Sequence, residues 1–286
     1  VRAASAPIPL TRPDLTRADA DAVSDAIRRL TDQTAAPVSW PVSWTDPAAV
    51  IAWETTIAAL WDRPALVFAD ADGLFTALYR VHGWRAGDVL LTDGWLEPSW
   101  REACAALWLL VHPVDIDSRS ALGVPDPEAI RTSSVPQAPR APRAWIRRHA
   151  FGLPAQPPVG PSSSGIMQIE ECSALPVPHT GCGWGDVQII SGTDNHPISA
   201  GSSAVLLSRD ADLIRALGTV RERLPGSVAC ALGHSQWLRW PHTEIWRSWL
   251  AQAYLDQLHT HGVLELPTCP ATGRGWERFV VHTNTT

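Results

Sequence analysis

Residues 65–116 read ALVFADADGLFTALYRVHGWRAGDVLLTDGWLEPSWREACAALWLLVHPVDI, and their pattern decides the fold class. Ala65 to Phe68 is a short apolar run, the pattern of a strand covered on both faces. Asp72 to Gly83 carries apolar residues at helical spacing and ends on glycine, the residue that most readily takes the left-handed cap conformation. Asp88 to Leu91 is a second apolar strand. Pro98 to Leu110 is a second helix with proline in its first turn, and His112 to Ile116 is a third strand. This alternation predicts a three-layer α/β/α sandwich on a mostly parallel, mixed sheet.

The alternation continues on both sides. Pro9 to Asp14 is an extended lead-in, and Thr16 caps a helix whose apolar stripe is Ala22, Val23, Ala26, Ile27 and Leu30. A loop over 31–43 repeats Pro-Val-Ser-Trp, and Asp46 to Trp61 is the next helix. Beyond residue 116, a proline-rich surface connection covers 131–142. Strands follow at Ala144 to His149, Ile166 to Glu170, Asp186 to Ser191 and Ser203 to Leu207. Asp210 to Arg223 is helical, and Val228 to Leu258 is one long helix or two. Trp237, Trp240, Trp246 and Trp249 on it serve either as core or as a packing face for a second domain or partner chain. The chain divides into a large domain, 1–210, with an N-terminal arm over 1–40, and a small α+β domain, 211–286.

Composition narrows the function. All 23 basic residues of the 286-residue chain are arginine, so there is no lysine anywhere. A net charge of −6 gives no broad attraction to nucleic acid. The longest apolar stretches, such as Ala103 to Val111, are too short to span a bilayer, and no secretory signal stands at Val1. Five scattered cysteines without paired spacing imply a reduced, cytoplasmic protein. Cys172, His179 and Cys182 fall close together but lack a CxxC pair and a fourth ligand, so no metal is expected.

Several segments, in order along the chain, resemble the DegT/StrS family of sugar aminotransferases and dehydratases. They are Ile8-Pro9-Leu10-Thr11-Arg12-Pro13, Trp53-Glu54 through Leu60, and Gly83 to Leu91 around Ala86-Gly87-Asp88. Asp115-Ile116-Asp117 with Asp126-Pro127-Glu128-Ala129-Ile130, and His149-Ala150-Phe151-Gly152-Leu153-Pro154-Ala155, complete the set. The resemblance implies the aspartate-aminotransferase-like fold of pyridoxal phosphate (PLP) enzymes, usually a homodimer with the active site at the subunit interface.

Carried over position by position, the resemblance puts His196 where the family has its cofactor lysine. A PLP enzyme needs that primary amine for its resting Schiff base, and imidazole cannot form one. The phosphate turn falls on Ala69-Asp70-Ala71-Asp72, where two carboxylates would face a dianion. Asp72 reads there as a helix cap. Ser191 stands at a phosphate-binding serine. The pyridine-nitrogen partner is Glu170 or Glu171, depending on which flank is matched, and Trp95 is the ring-stacking aromatic. The chain is short between Leu217 and Pro225, where the family reaches into its neighbour's site, and the small domain reads as truncated.

Missing lysine, acidic cradle and shortened segment together predict that no cofactor is bound. The first expectation is therefore a PLP-independent lyase- or cyclase-type enzyme of secondary metabolism, such as antibiotic biosynthesis. It would use His196, Asp70, Asp72, Glu170 and Asp194 for acid–base chemistry on a small molecule held by Trp95, Ser191, Glu171 and His149. The second is a non-catalytic partner that pairs with an active aminotransferase or another pathway enzyme, its old pocket filled by side chains; the chain itself is expected as a homodimer, or as a heterodimer with an active paralogue. The third is a sugar 3-dehydratase that holds PLP or pyridoxamine phosphate (PMP) without a covalent link and uses His196 as base.

Overall fold

The computed structural model describes residues 15–33, 45–114, 141–155, 165–194, 196–261 and 275–278. Among these, the strands β1 (Ala65–Phe68), β2 (Val89–Thr92), β3 (Leu110–Pro113), β4 (Pro142–Arg148), β5 (Met167–Glu171), β6 (Val187–Ser191) and β7 (Ala204–Ser208) form one sheet. Its order is β1-β7-β6-β5-β4-β2-β3. β7 runs antiparallel to β1 and β6, and every other pairing is parallel. Parallel neighbours need crossovers, which is why such a sheet is covered on both faces and its strands read as continuous apolar runs.

The helices are α1 (Arg17–Gln33), α2 (Pro47–Trp61), α3 (Ala71–Val81), α4 (Pro98–Ala106), α5 (Ala211–Val220) and α6 (Ser227–His261). On one face α3, α4 and α5 press Leu74, Phe75, Leu78, Trp100 and Leu217 onto Leu90, Ile146, Ile169, Ile189 and Leu206. On the other, α2 and α6 set Trp53, Ile57, Trp61, Trp237 and Trp240 against Val67, Ile190, Val205 and Leu207. Ile189 and Ile190 enter different cores because successive strand residues point to opposite faces. The α2–α6 crossing is close because Gly233 has no side chain: a Cβ there would lie 2.2 Å from the Trp53 ring. Trp53 and Trp237 then meet edge to face with centroids 6.2 Å apart.

The α/β sandwich is therefore the one the alternation predicts, with local differences. The helix expected over Pro98 to Leu110 ends at Ala106, and β3 begins at Leu110. Trp108 takes a left-handed φ of 57° and its carbonyl accepts from Gly87 N–H, so the chain turns where apolar spacing alone reads helix. The cap of α3 is Asp70, not Asp72: Asp70 Oδ1 accepts from Gly73 N–H at 2.8 Å, and Asp72 is exposed in the first turn. α6 runs unbroken through Pro241. Its tryptophans divide by role: Trp237 and Trp240 are core, whereas Trp246 and Trp249 stack on each other in solvent with centroids 5.0 Å apart. The lead-in over 9–14, the 131–140 part of the proline-rich connection, Asp115-Ile116-Asp117 and Asp126 to Ile130 lie outside the described residues.

Candidate functional site

His196 stands in the loop between β6 and β7, and both its ring nitrogens are engaged. Nε2 lies 2.6 Å from Glu97 Oε2, and Nδ1 lies 2.8 Å from Glu277 Oε1. The residue is 6 % exposed. Glu97 precedes Pro98 at the N-cap of α4 but makes no side-chain cap bond, which leaves its carboxylate to turn inward. There it also accepts from Thr193 Oγ1 at 2.8 Å and from Ser191 Oγ at 3.4 Å. Glu277 arrives on the segment 275–278, far along the chain, and its side chain is 2 % exposed.

Arg148, at the end of β4, extends the cluster. Its Nη2 lies 3.5 Å from both Glu277 oxygens, and its Nε lies 3.0 Å from Glu171 Oε2. The latter contact is misaligned for a hydrogen bond, so it acts through charge. Glu171 accepts instead from the Ser173 N–H at 2.9 Å and from its hydroxyl. Arg148 Nη1 donates to the Trp95 carbonyl at 2.7 Å. Parallel register sets Arg148 beside Glu171 on one face of the sheet and Arg147 beside Glu170 on the other.

These partners determine the protonation states. Burial works against an imidazolium, but the hydrogen bonds with Glu277 and Glu97 outweigh it and hold His196 up to about 9. Burial likewise opposes the Glu97 carboxylate, yet His196 and Thr193 pull it down to about 2. Glu277 is also lowered against burial, by His196 and then Arg148. At neutral pH the centre is thus a doubly donating His196 cation between two carboxylates. It has no nitrogen lone pair with which to act as a base.

Glu170 belongs to a separate network on the opposite side of β5. It accepts from Gly183 N–H at 2.8 Å, Gly185 N–H at 2.5 Å and Gln188 Nε2 at 3.0 Å. His149 Nε2 lies 3.0 Å from Glu170 Oε2, the oxygen that also accepts from Gly183. His149 Nδ1 accepts the Ala155 N–H at 2.7 Å, so the imidazole proton sits on Nε2 and is donated to Glu170. His149, Glu170 and Cys172 bring possible ligand atoms within 4.8 Å of one another. A metal on Nε2 would need the lone pair that the proton occupies, so the arrangement reads as a closed hydrogen-bonded network. Burial pushes the Cys172 thiol up to about 12.

Of the remaining candidates, Asp70 and Asp72 line a cleft of about 380 Å³ together with Ser99, Glu102, Ser191, Thr193, Ser202 and Ser203, whereas Asp194 and Trp95 do not. Arg223 pairs with Asp70 at 3.0 Å. Asp194 is exposed and accepts from Ser199 Oγ at 3.2 Å, away from the cluster. Trp95 is 43 % exposed and packs edge to face on Phe151. The structure thus gathers His196, Glu171 and Ser191 at one centre and places Glu170 with His149 elsewhere. Sequence reasoning missed Glu97, Arg148 and Glu277. Glu97 could have been found as an acid before a helix-starting proline, and Arg148 as the strand partner of Glu171. Nothing near Glu277 in the sequence signals its role.

Neither a protein-family model nor a curated protein matches the chain by sequence. Solved structures do match it in fold. The aminotransferase TlmJ from Streptoalloteichus hindustanus superposes with a TM-score of 0.74 at 18% identity, covering 96% of this chain and 78% of that one. A DegT DnrJ EryC1 StrS aminotransferase from Brucella abortus gives 0.70 at 15%, covering 93% and 76%. A putative sugar aminotransferase from Streptococcus pneumoniae, in its PLP-form, gives 0.73 at 13%, covering 97% and 78%. The chain has the fold of the DegT/DnrJ/EryC1/StrS sugar aminotransferases.

These neighbours correct the expectation of no cofactor. The S. pneumoniae structures are PLP- and PMP-forms, and another neighbour, from Bacillus subtilis, carries bound PMP, so the scaffold is one that holds B6 cofactors. The residues of this chain bear on a narrower point, the covalent link. There is no lysine to form it, His196 is engaged at both nitrogens, and Arg148 neutralises Glu171. These side chains do not fit a Schiff-base-linked cofactor.

Proposed function

We propose that this chain is a pseudo-aminotransferase: a subunit that keeps the sugar-aminotransferase scaffold, does not transaminate, and assembles with a catalytically active chain of the same scaffold. The observation that carries this reading is the closure of His196 between Glu97 and Glu277, which leaves its ring buried and without an accepting nitrogen. An acid–base catalyst must reach its substrate and change protonation near working pH; this imidazolium does neither. Assembly is supported by the outer face of α6, where Leu238, Ile245, Trp246 and Trp249 are exposed. Contiguous exposed apolar side chains of this size mark association surfaces. Among the described residues no helix is long and apolar enough to cross a membrane, so that face is not part of a helical span.

The test is a half-reaction. Purified protein is mixed with PMP and a keto-sugar or keto-acid acceptor, and the conversion of cofactor amine to aldehyde is followed by absorbance. Conversion no faster than with free PMP is expected; a protein-dependent rate overturns the reading. A second reading is favoured by the hydroxyl-lined cleft beside Ser191 and Thr193 and by the PMP-bound neighbours. In it the chain holds PLP or PMP without a covalent link and acts as a sugar dehydratase through His196. A cofactor band that survives desalting, together with dehydration of a sugar nucleotide that His196→Ala abolishes, would select this reading.

A further inference from the structure

We propose that His196 and Arg148 form a binding site for a small organic carboxylate, and that the chain's own Glu277 fills this site as a tethered ligand. The geometry is that of a bound carboxylate. One Glu277 oxygen lies 2.8 Å from His196 Nδ1, and both lie 3.5 Å from Arg148 Nη2. A ring N–H and a guanidinium converging on one carboxylate make up a charge-assisted recognition pair. Each cation has a second acidic neighbour supplied by the scaffold itself. Glu97 holds the far side of His196, and Glu171 holds the far side of Arg148. The two cations therefore stay placed and oriented whether or not Glu277 is present.

The strap that delivers Glu277 is pinned by backbone, not by a packed element. Gly275 N–H donates to the Gly152 carbonyl at 2.9 Å. The two glycines approach so closely that a Cβ on Gly152 would sit 1.2 Å from Gly275 O, and one on Gly275 would sit 2.4 Å from Leu175 Cδ2. From α6, Arg247 Nη1 reaches the carbonyls of Trp276 and Glu277 at 3.1 and 3.4 Å. Within 275–278 it is the Glu277 side chain that enters the cluster, while the Gly275 N–H and the Trp276 and Glu277 carbonyls seat the main chain. A carboxylate brought in on such a strap competes with free ligands through its high effective concentration. The inference does not rest on the absence of transamination, since it concerns only what the two cations bind.

Chemical rescue tests it, with acetate as the probe. Glu277→Ala removes the carboxylate and keeps the strap. Its melting temperature should fall, then rise saturably with acetate but not with chloride at equal ionic strength. Acetate should bind the variant about a hundredfold or more tightly than the intact chain, the scale of advantage that tethering gives Glu277. Adding Arg148→Gln should remove the rescue. Equal effects of acetate and chloride, or equal acetate responses from variant and intact chain, overturn the proposal. Should Glu277→Ala fail to fold, Glu277→Ser removes the carboxylate and still leaves room for acetate between His196 and Arg148. Acetate should then shift the His196 ring resonance in NMR spectra of that variant, and no shift refutes the site. The half-reaction above is read separately by cofactor absorbance, so either idea can fail alone.

Discussion

Raising the pH should dissolve the central ion cluster, and the cost follows from His196. In the folded chain its pKa is held at about 9, against 6.5 for the free side chain. At ~1.36 kcal/mol per pH unit that difference amounts to about 3 kcal/mol of folding stability. Because the folded value is the higher one, this stability is fully present below pH 6.5 and is lost as pH rises through about 9. Glu97 gives the mirror case: held at about 2 instead of 4.5, it stabilises above pH 4.5 and is lost as pH falls toward 2. Urea unfolding at intervals from pH 6 to 10 measures the alkaline arm. His196→Gln cannot titrate, so the difference between the two curves reports His196 together with the Glu97 and Glu277 carboxylates that it holds down. The ring can be followed directly by NMR in the intact chain. A His196 titration near pH 6.5, with parallel stability curves, refutes the reasoning. It would mean a neutral imidazole at pH 7 and would restore His196 as a candidate base.

Four further outcomes are expected. Glu170→Ala should lose about 3–5 kcal/mol in denaturant unfolding, because four donors lose their acceptor, of which Gln188 Nε2 keeps another in the Gly185 carbonyl. Gly152→Ala should cost at least about 2 kcal/mol and shift the His196 ring resonance, since the new methyl collides with Gly275 and the position is left-handed at φ 81°. Asp70→Ala should destabilise by about 1 kcal/mol through loss of the α3 cap, whereas Asp72→Ala should change stability by less than about 0.5 kcal/mol. Replacing both Trp246 and Trp249 by Ser should leave the single chain's stability within about 0.5 kcal/mol while lowering the sedimentation coefficient of any assembly it forms.

The sandwich was legible in the sequence because it is written in local patterns. Apolar runs such as Ala65 to Phe68 and helical stripes such as Val50, Trp53, Ile57 and Trp61 depend on residues a few places apart. The missing lysine was legible too, since an absence from the whole chain needs no coordinates. The boundary at Ala106 was not, because Trp108 adopts a left-handed turn that apolar spacing does not encode. Trp237 and Trp249 share one helix and one residue type, yet one is buried against Trp53 and the other is 60 % exposed. Only the packing of α6 on α2 separates them.

The candidate site shows the same division more sharply. The sequence by itself determined that this chain has no lysine to form a Schiff base, and the resemblance pointed to His196 as the residue expected in its place. Whether His196 is a base or a fixed cation was decided by Glu97, 99 residues before it, and Glu277, 81 residues after it. Which of Glu170 and Glu171 faces the centre was decided by strand pairing with Arg147 and Arg148. The physical reason is common to both. Local backbone preference acts over a few residues, whereas the charge state of a buried group depends on whatever the fold brings within a few ångströms of it.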